Sequence, residues 1–493
     1  MRFFKYLGFS VLVLIGFLVV RTFVVLPAGE PVTLKAAELD AAEVSRIAAN
    51  LSKAIQFKTV SHGLDTPPDA RAFKGFHQFL ADTYPHAHAV MELEIISDYS
   101  LMYRWPAVKP SSEKPVALLA HMDVVPVAEH GLADWAHPPF AGVIDEAGML
   151  WGRGALDDKG ILISLMEAAE RLARADFQPD RDIYFLFGHD EELGGDKGAA
   201  VMAGLLKDRS VQLAWALDEG SAIAEGLIPG VKSPVALISL GEKGSVTLKF
   251  SAEDTGGHSS APKGFTAASL AASAGVAVTE NPYPLVLDEH LEAMLLAIAP
   301  EMSFSRRLAI ANLWATRPLL ADQLAKSPTV GAFMHTTTAF TMMNSGIKTN
   351  ILPQYGEALV NYRIHPRDSV VGVTERARTI VDDDRIKISN MGGGREATAM
   401  SDASGEGYRL IAETIREQFG DIPLAPTLTV QGTDARHYGG VADGTYRFMP
   451  FIIGPDTLGQ IHGTNEHIST RALARQVDFF EALISRAAGD HIS

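Results

Sequence analysis

Residues 151–192 read WGRGALDDKGILISLMEAAERLARADFQPDRDIYFLFGHDEE and contain the clearest pattern of secondary structure in the chain. Its Gly-rich acidic loop leads into a helix-forming segment over residues 160–173, and a strongly apolar, strand-like run follows at 182–187. Helical segments that alternate with short apolar strands are typical of α/β domains. The same alternation extends in both directions, through residues 115–120, 198–206 and 213–217. The sequence therefore predicts an α/β domain with a mainly parallel sheet.

The length and composition limit the classes of protein to which the chain can belong. At 493 residues it exceeds the roughly 250 to 300 residues at which a single core stops growing, so we expect two domains. A content of 47% hydrophobic and 21% charged residues disfavours disordered and fibrous proteins. The formal net charge of -16 disfavours nucleic-acid binding, because an acidic protein repels phosphate backbones. Since there are no cysteines, histidines and carboxylates remain as metal ligands.

The order of elements predicts a second domain inserted into the first. We expect an α/β catalytic domain over residues 36–243 and 400–493, beginning with an amphipathic helix over 36–55. Residues 244–392 differ, because their strand- and helix-like segments follow the order β-α-β-β-α-β of ferredoxin-like domains. We therefore predict a ferredoxin-like α+β lid domain there, extended by a long insertion.

The N-terminal segment, residues 1–26, differs from the rest of the chain. Arg2 and Lys5 precede an apolar run that Arg21 interrupts. About 20 apolar residues are needed to cross a bilayer, and the run reaches this length if Arg21 snorkels to the interface. This pattern predicts a signal anchor or a cleaved signal peptide. We expect the body outside the cytoplasm in both cases, anchored if the segment is retained and secreted if it is cleaved.

The first chemical motif follows an apolar strand and reads His121-Met122-Asp123. Residues two apart on a strand share a face. His121 can therefore ligate a metal while Asp123 accepts the other ring N–H and fixes the tautomer. On its own, this pair is more typical of an ordinary polar turn.

The second motif is the loop over residues 151–160, which carries the adjacent acids Asp157 and Asp158 at the head of a helix. A carboxylate in this position can bridge two cations, since glycines let the backbone approach closely. A helix N-cap explains the local sequence as well. A phosphate-binding loop is disfavoured, because the glycines lack the G-x-G-x-x-G spacing and two acids repel an anion.

Three more motifs place acids or a histidine after apolar strands or near the end of the chain. They are Asp190-Glu191-Glu192, Asp218-Glu219 and His462. Adjacent anions at a buried strand end are costly unless cations or protons share the space. The carboxyl ends of parallel strands lie at one edge of a sheet, so we expect these side chains to meet. A mixed imidazole and carboxylate site suits zinc, with manganese or cobalt as substitutes.

Taken in chain order, the motifs resemble a two-zinc family that contains glutamate carboxypeptidase, succinyl-diaminopimelate desuccinylase and aminoacylase. The D-E-G and G-T-D-x-R-H motifs, the extended lid and the N-terminal apolar segment are most similar to its Gly-X carboxypeptidase and N-acyl-amino-acid hydrolase branch. The resemblance covers the chain from about residue 40 onward. The motifs are H-x-D at 121–123, G-R-G-x-x-D-D-K-G at 152–160, D-E-E at 190–192, L-D-E-G at 217–220, G-H-S-S-x-P at 257–262 and I-H-G at 461–463.

The resemblance implies two zinc ions bridged by Asp157. It also implies that Glu191 is the general base, that Asp123 supports His121, and that the peptide bond between Asp157 and Asp158 is cis. The implied ligands are His121, Asp157 and Asp218 for one ion, and Asp157, Glu192 and His462 for the other.

The resemblance also implies a reaction, the hydrolysis of an amide bond next to a free carboxylate. Two zinc ions would lower the pKa of a shared water, Glu191 would take its proton, and the bridging hydroxide would attack the amide carbonyl. His258 would stabilise the oxyanion and contact the substrate, across a homodimer formed by the lid domains. Arg436 and Asn350 would bind the substrate carboxylate. The substrate would be a short peptide cleaved at its C-terminal residue, or an N-acyl amino acid.

Two other functions fit parts of the pattern. A membrane-tethered binding protein could keep the metal site without turnover, although the intact Glu191 disfavours this alternative. A single-metal or structural site could use the same acids to hold the fold. Metal content separates the last alternative from a bridged pair of ions.

Overall fold

The computed structural model of the protein describes residues 2–262 and 264–489. Outside the described residues lie Met1, Lys263 and residues 490–493. Met1 belongs to the predicted N-terminal segment, Lys263 to the predicted lid, and residues 490–493 to the second part of the predicted catalytic domain. The described chain forms one large mixed sheet with helices on both faces, a separate four-stranded sheet and two smaller sheets.

The first part of the chain alternates between helices and strands, as predicted. The helix predicted over residues 36–55 begins later, because the Asp40 side chain accepts a hydrogen bond from the Glu43 N–H and caps it. The elements are α1 (Arg2–Val25), α2 (Ala41–Ile55), α3 (Ala70–Thr83), α4 (Pro85–Val90), β1 (Glu92–Ile96), β2 (Ser100–Trp105), β3 (Val116–His121), β4 (Val143–Ile144), β5 (Met149–Trp151), α5 (Lys159–Arg174), β6 (Ile183–Gly188), α6 (Ala199–Asp208), β7 (Trp215–Asp218), β8 (Ile223–Ala224) and β9 (Val235–Glu242).

The middle of the chain contains the strands and helices of the predicted lid. Its last strand continues past the predicted end at residue 392. The elements are β10 (Gly244–Glu253), β11 (Gly257–His258), α7 (Ala267–Glu280), α8 (Glu289–Ile298), α9 (Phe304–Ala311), α10 (Leu313–Leu324), α11 (Pro328–Ala332), β12 (Thr337–Ser345), β13 (Ile351–Leu352), β14 (Tyr355–Ile364), α12 (Val370–Val381) and β15 (Ile386–Arg395).

The last part of the chain returns to the large sheet and ends in a long helix. The strands here are short, and most of them add to the sheet that the first part forms. The elements are α13 (Glu406–Phe419), β16 (Leu424–Thr429), β17 (Thr445–Arg447), β18 (Ile452–Ile453), β19 (His467–Ser469) and α14 (Thr470–Ala488).

The large sheet has the strand order β1-β2-β6-β3-β7-β17-β9-β8-β18, with β16 paired to β9. Its centre, β6-β3-β7-β17, is parallel, whereas β1 and β2 pair in antiparallel fashion at one edge. This confirms the prediction of an α/β fold with a mainly parallel central sheet. The carboxyl ends of β6, β3 and β7 therefore lie side by side, where ligands bind in such sheets.

Apolar cores lie on both faces of the large sheet. Leu118 and Ala120 of β3 belong to the core that includes α2, α5, α13 and α14, and Ala117 and Leu119 belong to the core with α6. Successive residues of a strand point to opposite faces, so a strand between two helical layers is apolar throughout. This explains the continuous apolar runs in the sequence.

The four-stranded sheet has the order β12-β14-β10-β15, and its neighbouring strands are antiparallel. Residues of α7 and α12 share one core with β10 and β14. The chain thus follows β-α-β-β-α-β, the ferredoxin-like connection that the sequence predicts. The exact domain boundaries stay a proposal.

Helices α8–α11 form most of the insertion between α7 and β12. The sequence predicted this insertion but not the helices within it. Leu26, just after α1, is buried in one core with Leu291, Leu295 and Ile310 of these helices. The segment Gly8–Val25 of α1 is long and apolar enough to cross a membrane, and 6% of it is buried in the protein.

Candidate metal centre

The predicted ligands lie at one edge of the large sheet. His121 ends β3, Asp218 ends β7, and residues 190–192 directly follow β6. Asp157 lies in the loop before α5, and His462 lies in the turn before β19. The fold therefore brings together residues that are far apart in the sequence.

Asp157 lies between two imidazoles. Its Oδ1 is 2.9 Å from His121 Nε2, and its Oδ2 is 3.0 Å from His462 Nε2. His462 Nε2 is also 3.1 Å from Glu192 Oε2. Each oxygen of Asp157 thus faces a different imidazole, as in a carboxylate that bridges two sites. The peptide bond between Asp157 and Asp158 is cis, which agrees with the prediction.

Asp123 organises the base of the site. His121 Nδ1 lies 2.9 Å from the main-chain oxygen of Asp123 and 3.4 Å from its carboxylate, so the ring N–H points there and Nε2 faces the centre. The carboxylate also accepts hydrogen bonds from the N–H groups of Glu191 and Glu192, each at 3.2 Å, and from the Ser61 hydroxyl at 2.7 Å. One buried carboxylate therefore fixes the imidazole and the acidic turn together.

Glu219 is a further acid of this site, and the sequence predicted no role for it. Its Oε1 lies 3.5 Å from His121 Nε2, and one oxygen each of Glu191 and Glu219 groups with an imidazole nitrogen of His121 within 4.8 Å. The neighbouring Asp218 is buried, and its Oδ2 accepts a hydrogen bond of 2.6 Å from the Ala435 N–H. The role of Asp218 as a ligand stays a prediction. The only signal for Glu219 in the sequence was its position directly after Asp218.

The burial of so many acids changes their protonation. Burial and the charge of Asp157 raise the pKa of Glu219 to about 8. Hydrogen bonds that His462 donates to the carboxylates of Asp157 and Glu192 raise the pKa of its imidazole to about 10. Burial alone would raise the pKa of Asp157, but hydrogen bonds from His121 and His462 lower it. The site thus holds more negative charge than its imidazoles can balance.

The residues fit divalent cations. His121, Asp157 and Glu192 offer ligand atoms within 4.8 Å of one another, and Glu192 Oε1 is buried without a hydrogen-bond partner in the described chain. A buried carboxylate oxygen without a donor is costly unless a cation satisfies it. Two imidazole nitrogens and several carboxylates are a donor set that zinc binds.

Glu466 holds the backbone around Asp157, and no role was predicted for it from the sequence. Its Oε1 accepts hydrogen bonds from the N–H groups of Gly154, Leu156 and Asp157, at 3.0, 2.8 and 3.2 Å. Its Oε2 pairs with Arg153 Nη1 at 2.6 Å, and both side chains are buried. The turn before β19, which contains Glu466, thereby holds the loop that presents Asp157.

Arg153 joins the same two segments from the other side. Its Nη2 donates to the main-chain oxygens of His462 and Gly463, at 3.2 and 2.9 Å. His462 has φ of 59°, a left-handed conformation that is uncommon for a residue other than glycine. These bonds hold the backbone in the conformation that aims the imidazole at Asp157.

Arg436, whose substrate-binding role stays a prediction, lies beside the metal centre. Its Nη1 is 3.9 Å from Glu191 Oε1 and donates to the Thr433 main-chain oxygen at 2.8 Å. Its Nη2 donates to the main-chain oxygen of Gly194. Arg436 is therefore held by the backbone at the side of Glu191.

Arg395, at the end of β15, is a second arginine near this position that the sequence did not predict. It lines a cavity of about 620 Å³ together with Arg436 and His437. Burial and the charge of Arg436 lower its pKa, and its Nε is buried without a partner among the described residues. A Cβ at Gly432 would lie 2.3 Å from Arg395 Nη2, so this glycine makes room for the guanidinium. The arrangement can bind an anion between two arginines.

His258 and Asn350 lie together, but on the lid. His258 pairs with Ile351 between β11 and β13, and the Ser259 N–H donates to the Asn350 main-chain oxygen at 3.2 Å. Both residues are exposed. His258 Nδ1 accepts from the Ser260 hydroxyl at 2.8 Å, and no described contact joins it to the metal centre. The roles predicted for His258 and Asn350 stay predictions.

Comparison with known proteins identifies the family. A sequence model of peptidase family M20/M25/M40 matches residues 117–486. The chain belongs to this family. It is a hydrolase of the M20 peptidases, which are metal-dependent and usually use zinc, and the alternative of a binding protein without turnover is not favoured.

Relatives and solved structures agree with this assignment. A probable carboxypeptidase S-like 2 of Dictyostelium discoideum is 36% identical over 442 residues, 89% of this chain and 84% of the relative. An N-fatty-acyl-amino acid synthase/hydrolase PM20D1 of Mus musculus is 35% identical over 442 residues, 89% of this chain and 87% of the relative. The crystal structure of an M20 family metallo-carboxypeptidase from Sulfolobus solfataricus has the same fold, with a TM-score of 0.64, 14% identity and coverage of 90% and 99% of the two chains.

Proposed function

We propose that this family M20 enzyme hydrolyses an amide bond next to a free carboxylate, in a short peptide or an N-acyl amino acid. The observation that supports this most is the position of Arg436, 3.9 Å from the Glu191 carboxylate and beside a cavity lined by Arg395. An arginine binds a carboxylate through two parallel hydrogen bonds. A substrate carboxylate held there would lie close to the group that we assign as the base.

Two zinc ions would complete the centre, with manganese or cobalt as substitutes. Asp157 would bridge them, and His121, Glu192, Asp218 and His462 would be the other ligands. When bound, the ions supply Lewis acidity, which polarises the amide carbonyl and makes water a nucleophile near neutral pH. Glu219, 3.5 Å from the His121 Nε2 atom, is a further candidate ligand.

Residues of the protein would transfer the proton and orient the metal ligands and the substrate. Glu191 is fixed through its own N–H, which donates to Asp123, so its carboxylate is held at the edge of the centre. We propose that it takes a proton from water and passes it to the departing amine. Asp123 keeps the His121 tautomer that leaves Nε2 free to ligate. His258 and Asn350 would reach the substrate from the lid of a second subunit.

The two kinds of substrate share the reacting bond and differ in the acyl side. The mouse relative is named for N-fatty-acyl amino acids, and the Dictyostelium relative for carboxypeptidase S. In both cases the leaving group is an amino acid with a free carboxylate, which is the part that Arg436 and Arg395 would bind.

We also propose that α1 is retained as a membrane anchor, with the catalytic body outside the cytoplasm. Asn312 is buried, and its Nδ2 donates to the Leu18 main-chain oxygen and to the Thr22 hydroxyl, each at 3.2 Å. The buried Arg307 donates to the Leu26 main-chain oxygen at 3.2 Å. Cleavage after α1 would remove the Leu18 and Thr22 acceptors and leave the Leu308 main-chain oxygen, at 2.8 Å, as the acceptor of the Asn312 amide.

The proposed function can be tested with the purified, zinc-loaded full chain. We expect hydrolysis of dipeptides or N-acyl amino acids, and a loss of most activity when the substrate carboxylate is converted to an amide. Equal hydrolysis of the amidated substrate would contradict the proposed carboxylate site. Metal analysis should give two equivalents of zinc per chain, and one equivalent at full activity would contradict the bridged pair.

A further inference from the structure

The second half of α1 lies along helix α9 and contacts the first turn of α10. The rings of Phe17 and Trp314 meet edge to face with centroids 6.5 Å apart, and those of Phe23 and Phe304 lie 5.5 Å apart. An α-helix rises about 1.5 Å per residue, so Phe17 lies about 12 Å along the axis from Val25, the end of α1. The start of α10 therefore contacts α1 about 12 Å from the end that joins the catalytic body.

One side of α10 is apolar and exposed. Trp314, Ala315, Pro318 and Leu319 have the spacing i, i+1, i+4 and i+5, which places them on one face of a helix. Trp314 is 60% exposed and Leu319 is 71% exposed. We call these four residues the α10 apolar face. Large apolar side chains grouped on a surface mark a contact with a partner or a membrane.

The side chain of Arg317, which is 48% exposed, lies at the edge of this face. Arg317 pairs with Glu292 of α8 at 2.6 Å and donates to the Leu287 main-chain oxygen at 2.8 Å. Its guanidinium is thus held by the protein. Asp322 and Gln323, one turn beyond Pro318 and Leu319, are exposed and end the apolar face with polar groups.

We propose that the α10 apolar face is embedded in the same lipid bilayer that α1 crosses. The inference rests on the proposed anchoring by α1. The apolar span has 18 residues and a length of about 27 Å, close to the hydrocarbon thickness of about 30 Å. If α1 crosses the bilayer, then Trp314, which contacts Phe17 near the middle of the span, lies at hydrocarbon depth.

The embedded face gives the catalytic body a second contact with the membrane. A single helix would leave the body free to rotate about one tether. Two contacts, α1 and the α10 apolar face, fix the body in one orientation above the leaflet. The apolar surface of α1 and that of α10 are continuous through the contact of Phe17 with Trp314, so one lipid phase can cover both.

Tryptophan fluorescence can test this in the full chain. The protein has five tryptophans, and Trp314 is the exposed one, since Trp105, Trp135 and Trp215 are buried and Trp151 is half-buried. In phosphatidylcholine–phosphatidylglycerol vesicles with brominated acyl chains, we expect quenching that falls by more than half in Trp314→Phe. The control Trp151→Phe should keep the quenching. Equal quenching in Trp314→Phe and the wild type would overturn the inference.

A spin label gives a second measurement that does not depend on tryptophan. Because the chain has no cysteine, Leu319→Cys and Val108→Cys each accept one nitroxide label. Val108 is 54% exposed on the catalytic body and serves as the control. We expect the label at 319 to be accessible to oxygen and shielded from a water-soluble nickel chelate, with the opposite result at 108.

The outcomes separate this inference from the proposed anchoring. If the full chain does not sediment with vesicles, the anchoring by α1 is wrong and the inference falls with it. If the chain sediments but the label at 319 meets the nickel chelate as freely as the label at 108, the anchor stands and the embedded face is wrong. Sedimentation with a shielded label supports both.

Discussion

The metal centre and the lid loop around His258 and Asn350 both contain predicted site residues. Among the described residues, those of the metal centre are held by partners from distant parts of the sequence, whereas those of the lid loop have partners within the lid. His121 and Asp157 are buried, and each has several polar partners among residues from distant parts of the sequence. His258 and Asn350 are exposed, and their described contacts stay within the lid. Buried acids require cations or donors, whereas an exposed loop requires neither.

This difference indicates which contacts fix the geometry of each of the two regions. The centre is preorganised by Asp123 and Glu466, which bind backbone N–H groups of the segments that carry the ligands. In the part of the chain that the structure describes, the lid loop has no comparable support, so its contribution would depend on closure or on a second subunit. Variants in the two regions should therefore behave differently.

The largest effect is expected for Glu191→Gln in the metal centre. We expect the rate to fall on the order of 10³-fold or more, because the amide cannot take a proton from water. Bound zinc and the melting temperature should stay the same, since the assigned ligands and the Glu191 N–H are unchanged. Turnover assays with metal analysis would measure this, with the exposed Glu146→Gln as the control. Activity at the wild-type rate would mean that Glu191 is not the base.

In the lid loop, His258→Ala should lower the rate by about 10²-fold if the imidazole stabilises the oxyanion. The exposed His130→Ala is the matched control. Mixing this variant with Glu191→Gln tests whether His258 acts across a dimer, because mixed dimers would then contain one complete site. Random pairing would restore about a quarter of the wild-type activity. No gain on mixing would place the action of His258 within its own chain.

The sequence predicted the regions of the fold that follow simple periodic patterns. The apolar runs at 115–120 and 182–187 correspond to β3 and β6, and the helix-forming segment at 160–173 corresponds to α5. The motifs at the strand ends met at one edge, because parallel strands place their carboxyl ends together. Chain order alone was therefore enough to expect that distant acids and histidines would share a site.

Contacts that depend on the third dimension were not predicted. The L-D-E-G motif alone does not show which of Asp218 and Glu219 faces the metal centre. Their directions depend on the sharp turn of the chain at Gly220, which has φ of 114°. Arg395 lies at the end of a lid strand and reaches Gly432 only through domain packing. The contact of α10 with α1 joins segments almost 300 residues apart, as in the bond of Asn312 to Leu18.

Glu466→Gln should weaken zinc binding, because Glu466 holds the loop that presents Asp157. The amide can still accept one hydrogen bond, but it loses the charge that pairs with Arg153 and that attracts three backbone N–H groups. We expect zinc affinity to fall about 10- to 100-fold, as for other groups that orient ligands. Competition with a chelator would measure it. The control is Glu301→Gln, which also accepts backbone N–H groups, from Lys232 and Ser233, away from the centre. Unchanged zinc affinity would show that the loop holds Asp157 without this carboxylate.

The smallest effect is expected for Arg395→Ala, at the junction between the lid and the metal centre. A hydrogen bond to a charged group contributes at least about 1.5 kcal/mol, so KM should rise about tenfold with little change in kcat. Arg385→Ala is the control, because Arg385 is exposed and pairs with Asp383. The rise in KM should vanish for substrates whose carboxylate is converted to an amide, since these cannot use the arginine. A rise of equal size for both substrates would mean that Arg395 holds the lid in place rather than binding the substrate.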